Sequence, residues 1–452
     1  MTPATRDDVV DAALRSALPG GADEGRVIVA FSGGADSTAL LGALVAATRT
    51  WLRRRVSAFH FDHRLHPASP AWVAHCREIC ARLDIPLITA AASGPAPPGA
   101  SIEAWARDAR YAAFARELCA DDVLLTAHHR DDLAETLLLM ALRGSGPHGL
   151  AAIAPSRPLG RGLLVRPLLG IPRDLLRAGL DRAGLPWLQD PANADVRYDR
   201  NFIRHEVLPL LAQRWPAAAA NLARAAELQR SSAAVLDDYA DGVLDPADAG
   251  RATLDIACLA GLPPARQQLI LRRWLRLAGG AAPDADTLSH VLRDAVSSRH
   301  DANPVIAWRG GEIRRHAGSL YWLPAPPPAP LAGSRDWSPM AALELPGGVL
   351  SALPVVGEGL RAAALPVGPL TVRARLGGER IRPKNHPHAR PVKHLLQELG
   401  VPTWERRLLP LVFVGERLVA VADLVVADDF AARAGEEGLR LAWRRLPDSG
   451  AH

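Results

Sequence analysis

The stretch RVIVAFSGGADSTALLGAL, residues 26–44, decides how the first half of this chain is read. Five apolar or β-branched residues, Val27 to Phe31, have the composition of a buried strand, and an apolar helical pattern follows Ser37. Between them lies Ser32-Gly33-Gly34-Ala35-Asp36-Ser37. Two glycines at a strand-to-helix turn let the backbone approach a ligand without a Cβ in the way. The free amides of a helix start, with the helix dipole behind them, favour phosphate. The turn lacks the Gly-Lys-Ser/Thr of a Walker loop and the third glycine of a dinucleotide fingerprint. A carboxylate inside it, Asp36, would repel phosphates unless it holds Mg²⁺ or orders water on a pyrophosphate. Ser32 and Ser37 add hydroxyl donors.

Three more apolar runs, VSAFHF, PLITAA and VLLTA, follow within the first 130 residues, with helical patterns between them. Strands alternating with helices predict an α/β fold with a doubly wound parallel sheet. ASGPAPPGAS, residues 92–101, lacks periodicity and reads as a loop. Beyond residue 215 the pattern becomes helical, without comparable strand alternation, as in AAAANLARAAELQRSSAAVLDDYADGVL and ARQQLILRRWLRLAG. PAPPPAP, residues 324–330, reads as a stiff polyproline spacer of roughly 20 Å. The tail after it reads as α+β: Val372, Ala374 and Leu376 alternate with Arg373 and Arg375, and LPLVFVGERLVAVADLVV predicts a hairpin turning at Gly415-Glu416. The expected division is a catalytic α/β domain over 1–215, a helical middle domain over 216–323 and a small α+β domain over 331–445.

The chain has 452 residues, a hydrophobic fraction of 48%, a formal charge of +5 and four cysteines. MTPATRDDVVDAAL does not read as a signal or transit peptide, and no apolar run approaches the ~20 residues of a membrane helix. The expected compartment is the cytosol, with no membrane association. Cys76, Cys80, Cys119 and Cys258 include no Cys-x-x-Cys pair and read as buried small side chains rather than a disulfide framework. Only two of the 53 basic residues are lysines, Lys384 and Lys393. They fall in a segment, Thr371 to Pro410, holding nine Lys/Arg and three acids, so the remainder of the chain is nearly balanced. A basic segment of this kind points to nucleic-acid phosphates.

A second constellation is TAHHRDDLAETLLLMALRGSGPHGL, residues 126–150. Asp131, Asp132 and Glu135 share one face near a helix start, suited to holding Mg²⁺ or clamping an ammonium group. His128 or His129 is positioned for a phosphate. Arg143-Gly144 ends the helix as a glycine stop or covers a nucleotide. Arg107 and Arg110, three apart in EAWARDARYAAF, give one arginine reaching the site. His60, Asp62, His63 and His66 in HFDHRLHPAS suggest a metal cluster at first sight, but a loop beside the nucleotide suits them better.

The turn SGGADS resembles that of the PP-loop ATP pyrophosphatases, which split ATP between its α and β phosphates and activate an oxygen as an adenylate. Together with EAWARDARYAAF, HHRDDLAET, RGSGPHGL, RPLL at 166–169, YDRNFIRHEVLPLL at 198–211 and the tail from RLGGERIRPKNHPHARPVKHLLQELG onward, the chain is similar to the tRNA(Ile)-lysidine synthases. The resemblance implies ATP as co-substrate with Mg²⁺, a tRNA(Ile) with a CAU anticodon and free L-lysine as partners, and a homodimer. It implies adenylation of the wobble cytidine C2 oxygen, then attack by the lysine ε-amine to form lysidine. On this reading Ser32, Gly33, Gly34, Ala35, Asp36, Ser37, His128, Arg143 and Gly144 bind ATP. Asp36 takes Mg²⁺, and Asp36, Arg110, Asp132 and Glu135 act in catalysis, the last two also gripping lysine. Arg373, Arg375, Arg380, Arg382, Lys384 and Lys393 contact tRNA. Spacing does not say which carboxylate is the general base.

Overall fold

The computed structural model describes residues 6–18, 25–97, 99, 101–244, 252–280, 283–296, 304–324 and 329–445. They form two compact units, dividing at Asp237/Asp238.

The first unit carries six strands: β1 (Arg26–Ala30), β2 (Arg55–Asp62), β3 (Leu87–Ala91), β4 (Val123–Leu125), β5 (Ser156–Leu159) and β6 (Gly162–Val165). Their order is β3-β2-β1-β4-β6-β5. All neighbours are parallel except the β5/β6 hairpin at the edge. All four sequence-predicted strands are present. The helices are α1 (Arg6–Ala17), α2 (Ala35–Thr48), α3 (Ser69–Arg82), α4 (Ile102–Glu117), α5 (Arg130–Leu142), α6 (Pro147–Leu150), α7 (Arg173–Ala183), α8 (Asp199–Phe202), α9 (Leu208–Arg214) and α10 (Ala218–Asp241). Because β1 is buried on both sides, its two faces feed two cores. Val27 and Val29 pack with α1, α2 and α3; Ile28 packs with Phe59, Phe114 and Leu124. Cys76 and Cys80 sit in the first core, and burial raises their thiols to about 12 and about 11, so they pack as apolar side chains. All four cysteines are free thiols; Cys119 is exposed.

The chain crosses from β3 back past β1 to β4, so the strand order reverses at β1. In such a sheet the ligand crevice lies beyond the strand C-termini at that reversal. The Ser32–Ser37 turn follows β1, and His128 and His129 follow β4, on the two sides of this point.

In the second unit the expected helix in ARQQLILRRWLRLAG is α11 (Pro264–Leu277); α12 (Ala285–His290), which the sequence reading did not single out, packs with it in the core of Leu271, Trp274, Leu275 and Leu288. They are joined by an antiparallel sheet ordered β7-β10-β9-β8, from β7 (Thr253–Asp255), β8 (Val305–Trp308), β9 (Gly311–His316) and β10 (Ser319–Leu323). β7, β8 and β10 are only three to five residues long, too short to show a period, and in β9 Arg314 and Arg315 interrupt the apolar signal, although Ile313 is fully buried.

The tail holds β11 (Ser334–Trp337), β12 (Leu343–Leu345), β13 (Gly348–Val356), β14 (Leu360–Arg361), β15 (Leu370–Arg373), β16 (Arg380–Ile381), β17 (Arg390–Pro391), α13 (Val392–Glu398), β18 (Leu411–Val414), β19 (Arg417–Val421), β20 (Val425–Val426) and β21 (Glu437–Arg445). Sheets β11-β15-β18-β19-β20 and β12-β13-β21-β14 enclose one core with α13. The predicted β18/β19 hairpin is present, with Val414 opposite Arg417 across Gly415-Glu416. The alternation from Val372 stops early: Val372 and Ala374 are buried, but β15 ends at Arg373 and Leu376 is exposed. The next two residues, Gly377 and Gly378, both have positive φ, which turns the chain out of the sheet. Four residues of the proline spacer, 325–328, lie outside the described residues.

Candidate active site

Gly33 has φ +78°, and a Cβ there would lie 3.0 Å from both Cys76 Sγ and Leu188 Cδ1, so only glycine fits. The Gly33 carbonyl accepts from Leu188 N–H at 2.8 Å, pinning the turn. Gly34 is the N-cap of α2 and brings no capping side chain, which leaves the first-turn amides open. The Ser37 hydroxyl donates to the Gly34 carbonyl at 3.0 Å, and Ser32 Oγ accepts the Gly34 N–H at 3.3 Å. The two hydroxyls are 3.1 Å apart. Both serines therefore shape the turn as well as edging it. A 14-residue helix with an uncapped glycine start is an anion cradle.

Asp36 points from that first turn toward α5. Its Oδ2 is 3.6 Å from His129 Nε2, and its Oδ1 is 3.7 Å from Arg173 Nε. Burial pushes this carboxyl up, but the charges of His129 and Arg173 outweigh it and hold it below the usual range. Oδ1 is buried without a hydrogen-bond partner.

His129 is fully buried among three carboxylates, Asp36, Asp131 at 3.6 Å and Asp132 at 3.4 Å. Burial lowers its pKa, yet Asp131, Asp36 and Asp132 together raise it to about 9, so it is an imidazolium at neutral pH. Asp131, pulled down to about 2 against the effect of burial, also accepts the Arg173 backbone N–H at 3.0 Å. Of the two adjacent histidines, His129 is thus the electrostatic tie between α2 and α5. His128 takes a different part: its Nδ1 is 2.9 Å from Thr126 Oγ1. Burial and the charges of Arg166, Arg200 and Arg107 hold it neutral.

Asp132 and Glu135 do share one face of α5, and both are buried, Glu135 to 1% exposure. Sequence reasoning left out what they hold. Arg200 reaches Asp132 Oδ1 at 2.7 Å and Glu135 Oε2 at 2.8 Å. Arg204 reaches Glu135 Oε1 at 2.6 Å and Asp132 Oδ1 at 3.1 Å. Asp132 Oδ2 also accepts the His129 backbone N–H at 2.9 Å. Arg200 lies in α8 and Arg204 in the π-helical turn Ile203–Val207 that follows it. Their i, i+4 spacing within YDRNFIRHEV was the available signal. Burial opposes the charge of Arg204, but Glu135 and Asp132 more than restore it.

Arg143 is the C-cap of α5, with Gly144 in the left-handed region after it. Its guanidinium is well exposed and 3.7 Å from Asp199 Oδ2. Arg110 lies half-buried on α4 beside Tyr111. The His60–His66 group does not converge. His60 Nδ1 faces the Phe31 carbonyl at 2.9 Å, Asp62 accepts from Ser69 Oγ and Arg64 N–H, His63 meets Phe61 edge-on, and His66 stacks on Trp72. Among the described residues no three His, Cys, Asp or Glu are grouped to hold a metal.

The basic tail is partly compensated. Arg373 and Arg375 both face Glu379, at 3.1 and 3.9 Å. Arg382 pairs with Asp428 and Asp429, Lys384 Nζ donates to the Ala432 carbonyl at 2.7 Å, and Arg380 donates to the Ala389 carbonyl at 2.7 Å. Lys393 is exposed on α13.

An uncapped glycine turn at the reversal of a parallel sheet, with a carboxylate inside it, defines a nucleotide-splitting α/β domain of the PP-loop class, and the PP-loop domain family matches residues 8–211. The TilS substrate binding domain matches residues 254–321 and the TilS substrate C-terminal domain residues 370–443. A tRNA(Ile)-lysidine synthase of Alkalilimnicola ehrlichii is 42% identical over 90% of this chain and 91% of its own; one of Coxiella burnetii is 40% identical over 91% of each. One of Pseudomonas fluorescens is 41% identical over 92% of each. The chain belongs to the tRNA(Ile)-lysidine synthase family, ATP-using ligases that form a carbon–nitrogen bond in tRNA modification. A solved U34-tRNA thiolase from Methanococcus maripaludis aligns over 50% of this chain and 79% of its own at 16% identity with a TM-score of 0.42, too loose to bear on the chemistry.

Proposed function

We propose that this chain adenylates the C2 oxygen of the wobble cytidine of a CAU-anticodon tRNA(Ile) and transfers free L-lysine to that carbon, in the cytoplasm. A cytosine carbonyl oxygen is a poor leaving group, so it must first become a phosphate ester. The open amides of Ala35 to Ser37 receive the phosphates of ATP and stabilise the charge that grows on departing pyrophosphate. Arg110, His128, Arg143 and Gly144 complete the nucleotide's surroundings, and Arg110 meets the charge on the transferring phosphoryl group. The observation that carries this reading is Asp36: a buried carboxylate oxygen without a hydrogen bond, beside an uncapped helix start.

That orphan oxygen also fits Mg²⁺, which binds through one or two carboxylates together with substrate phosphates. Asp36 would hold the ion, which supplies neutralisation of phosphate charge when bound.

Lysine enters beside Asp132 and Glu135, where its ammonium group shares carboxylate oxygens already bonded to Arg200 and Arg204. Its ε-amine must lose a proton to attack, since its ordinary pKa is about 10.4. The carboxylates nearest to take that proton are Asp132 and Glu135. The target base leaves its stack to reach this crevice. Arg373, Arg375, Arg380, Arg382, Lys384 and Lys393 contact tRNA, and the assembly is a homodimer, checked by sedimentation. The deciding experiment is incubation with ATP, lysine and unmodified tRNA(Ile), followed by nucleoside mass analysis. A lysine-dependent mass gain at cytidine supports the reading; lysine-independent product, or none, refutes it.

A further inference from the structure

Four arginines surround one tyrosine on the β5/β6 side of the crevice. The Cζ atoms of Arg107 and Arg157 each lie 5.0 Å from the Tyr111 ring centre, and that of Arg110 lies 5.6 Å away. Arg166, just beyond β6, adjoins the Tyr111 hydroxyl. The cluster therefore joins α4 to the edge hairpin.

It is short of counter-charge. Among the described residues none of the four has a carboxylate partner. The acceptors they do have are neutral: Arg166 Nη1 donates to the Ala154 carbonyl at 2.6 Å, and Arg157 Nη1 reaches the Pro158 carbonyl at 3.5 Å. Arg166 is 6% exposed, yet its Nε is buried with no acceptor. Other arginines of this domain are treated differently: Arg26 is paired with Asp122 and Glu117, and Arg200 and Arg204 with two carboxylates. Uncompensated guanidiniums gathered on one ring repel one another, most where Arg110 and Arg166 are withdrawn from water, and call for an anion. Their planar forks, spread over a helix and a hairpin, match several phosphate oxygens rather than one small ion.

The position narrows the source. The ATP phosphates belong on the α2 start, with Arg110 proposed to meet them, whereas the charges of Arg107 and Arg166 act on His128, as do those of Asp132 and Arg200. On its other side Arg110 acts on His63, which lines a cavity of about 620 Å³ together with Ala92, Ile102 and Trp105. An indole beside a basic strip is the pattern that takes an unstacked base and its backbone.

We infer that Arg107, Arg157 and Arg166 around Tyr111 seat phosphodiester groups of the substrate RNA next to the nucleotide that is modified. This rests on the reading of tRNA as substrate. The shared chemistry is a phosphate oxyanion, which ATP also carries, so the test separates the two.

Full-length Arg157→Gln is the first variant, because Arg157 is exposed and its loss leaves the core intact. Binding of an unmodified tRNA(Ile) transcript is followed by fluorescence anisotropy over a series of KCl concentrations, and binding of a non-hydrolysable ATP analogue by calorimetry. The expected result is a rise of about fivefold in the RNA Kd, with the slope of log K against log salt reduced by about 0.7, the value for one phosphate on a single strand. The analogue's Kd stays within about twofold, and Arg157→Lys restores the slope. Weaker analogue binding with unchanged RNA binding would overturn the proposal in favour of nucleotide phosphate; no change in either would overturn it outright. Wild-type protein that binds the transcript but makes no lysine adduct would sink the reaction reading alone, since the slope comparison still stands.

Discussion

Arg204 grips Glu135 through both carboxylate oxygens, Nε to Oε1 at 2.6 Å and Nη2 to Oε2 at 2.9 Å. Arg200 takes the same carboxylate from a second direction. Both charges of Glu135 and Asp132 are thus balanced from within the fold, at the carboxylate pair proposed to receive lysine.

Removing one member of such a buried network leaves its partners unpaired. Glu135→Ala should lower unfolding free energy by about 3 kcal/mol, read from urea titration. Glu135→Gln preserves shape and some hydrogen bonding, so its effect on stability should be smaller. Its KM for lysine should rise more than its KM for ATP. A rise confined to ATP would move Glu135 to the nucleotide side of the crevice.

Asp36, on α2, joins that network through His129, which also faces Asp132, and is the carboxylate proposed to stand beside the phosphates. Asp36→Ala should abolish tRNA-dependent ATP–pyrophosphate exchange while leaving tRNA affinity within about twofold. Loss of RNA binding with normal exchange would refute the assignment. Asp36→Asn keeps the volume and loses the charge, so it should also shift the Mg²⁺ requirement upward.

The sheet and the turn were legible because they are local. Apolar runs at strand length and Gly33-Gly34 before an apolar helix need no long-range information. The spacing of Asp132 and Glu135 likewise placed them on one face. Their arginine partners were out of reach: Arg200 and Arg204 are more than 60 residues away in the chain, and only packing of the Asp199–Arg214 segment against α5 brings them in. The different fates of His128 and His129 follow from Asp36, Asp131 and Asp132 converging on only one of them. Charge counting misled in the tail. Nine cations against three acids between Thr371 and Pro410 omits Asp428 and Asp429, which fold back onto Arg382. The sheet β7–β10 was hidden because strands this short have no distinctive period, and β9 is further interrupted by Arg314 and Arg315.

That pairing changes what the tail variants should do. Lys393 is exposed on α13, whereas Lys384 is tied to the Ala432 carbonyl. Lys393→Ala should reduce the salt slope of tRNA binding by about one phosphate contact and leave stability within about 0.5 kcal/mol. Lys384→Ala should also lower the unfolding midpoint, because a backbone carbonyl loses its donor. If neither variant alters the salt slope, this segment is not part of the RNA interface.

Part of the acid sensitivity should trace to His63, together with His60 and His128, which burial also depresses. Burial, reinforced by the charge of Arg110, lowers it from 6.5 to about 4, with Asp62 opposing. A histidine depressed in the folded state binds its proton more readily when unfolded, so the folded form loses stability as pH falls from about 6.5 toward 4 and gains nothing above that range. Urea midpoints measured across this window should fall for the wild type and fall less steeply for His63→Gln. Equal slopes would mean that His63 is solvated and that the acid response comes from other groups. The same variant removes a ring from the cavity wall beside Trp105, so RNA affinity measured at pH 7.5, where His63 is neutral, separates loss of shape from loss of charge.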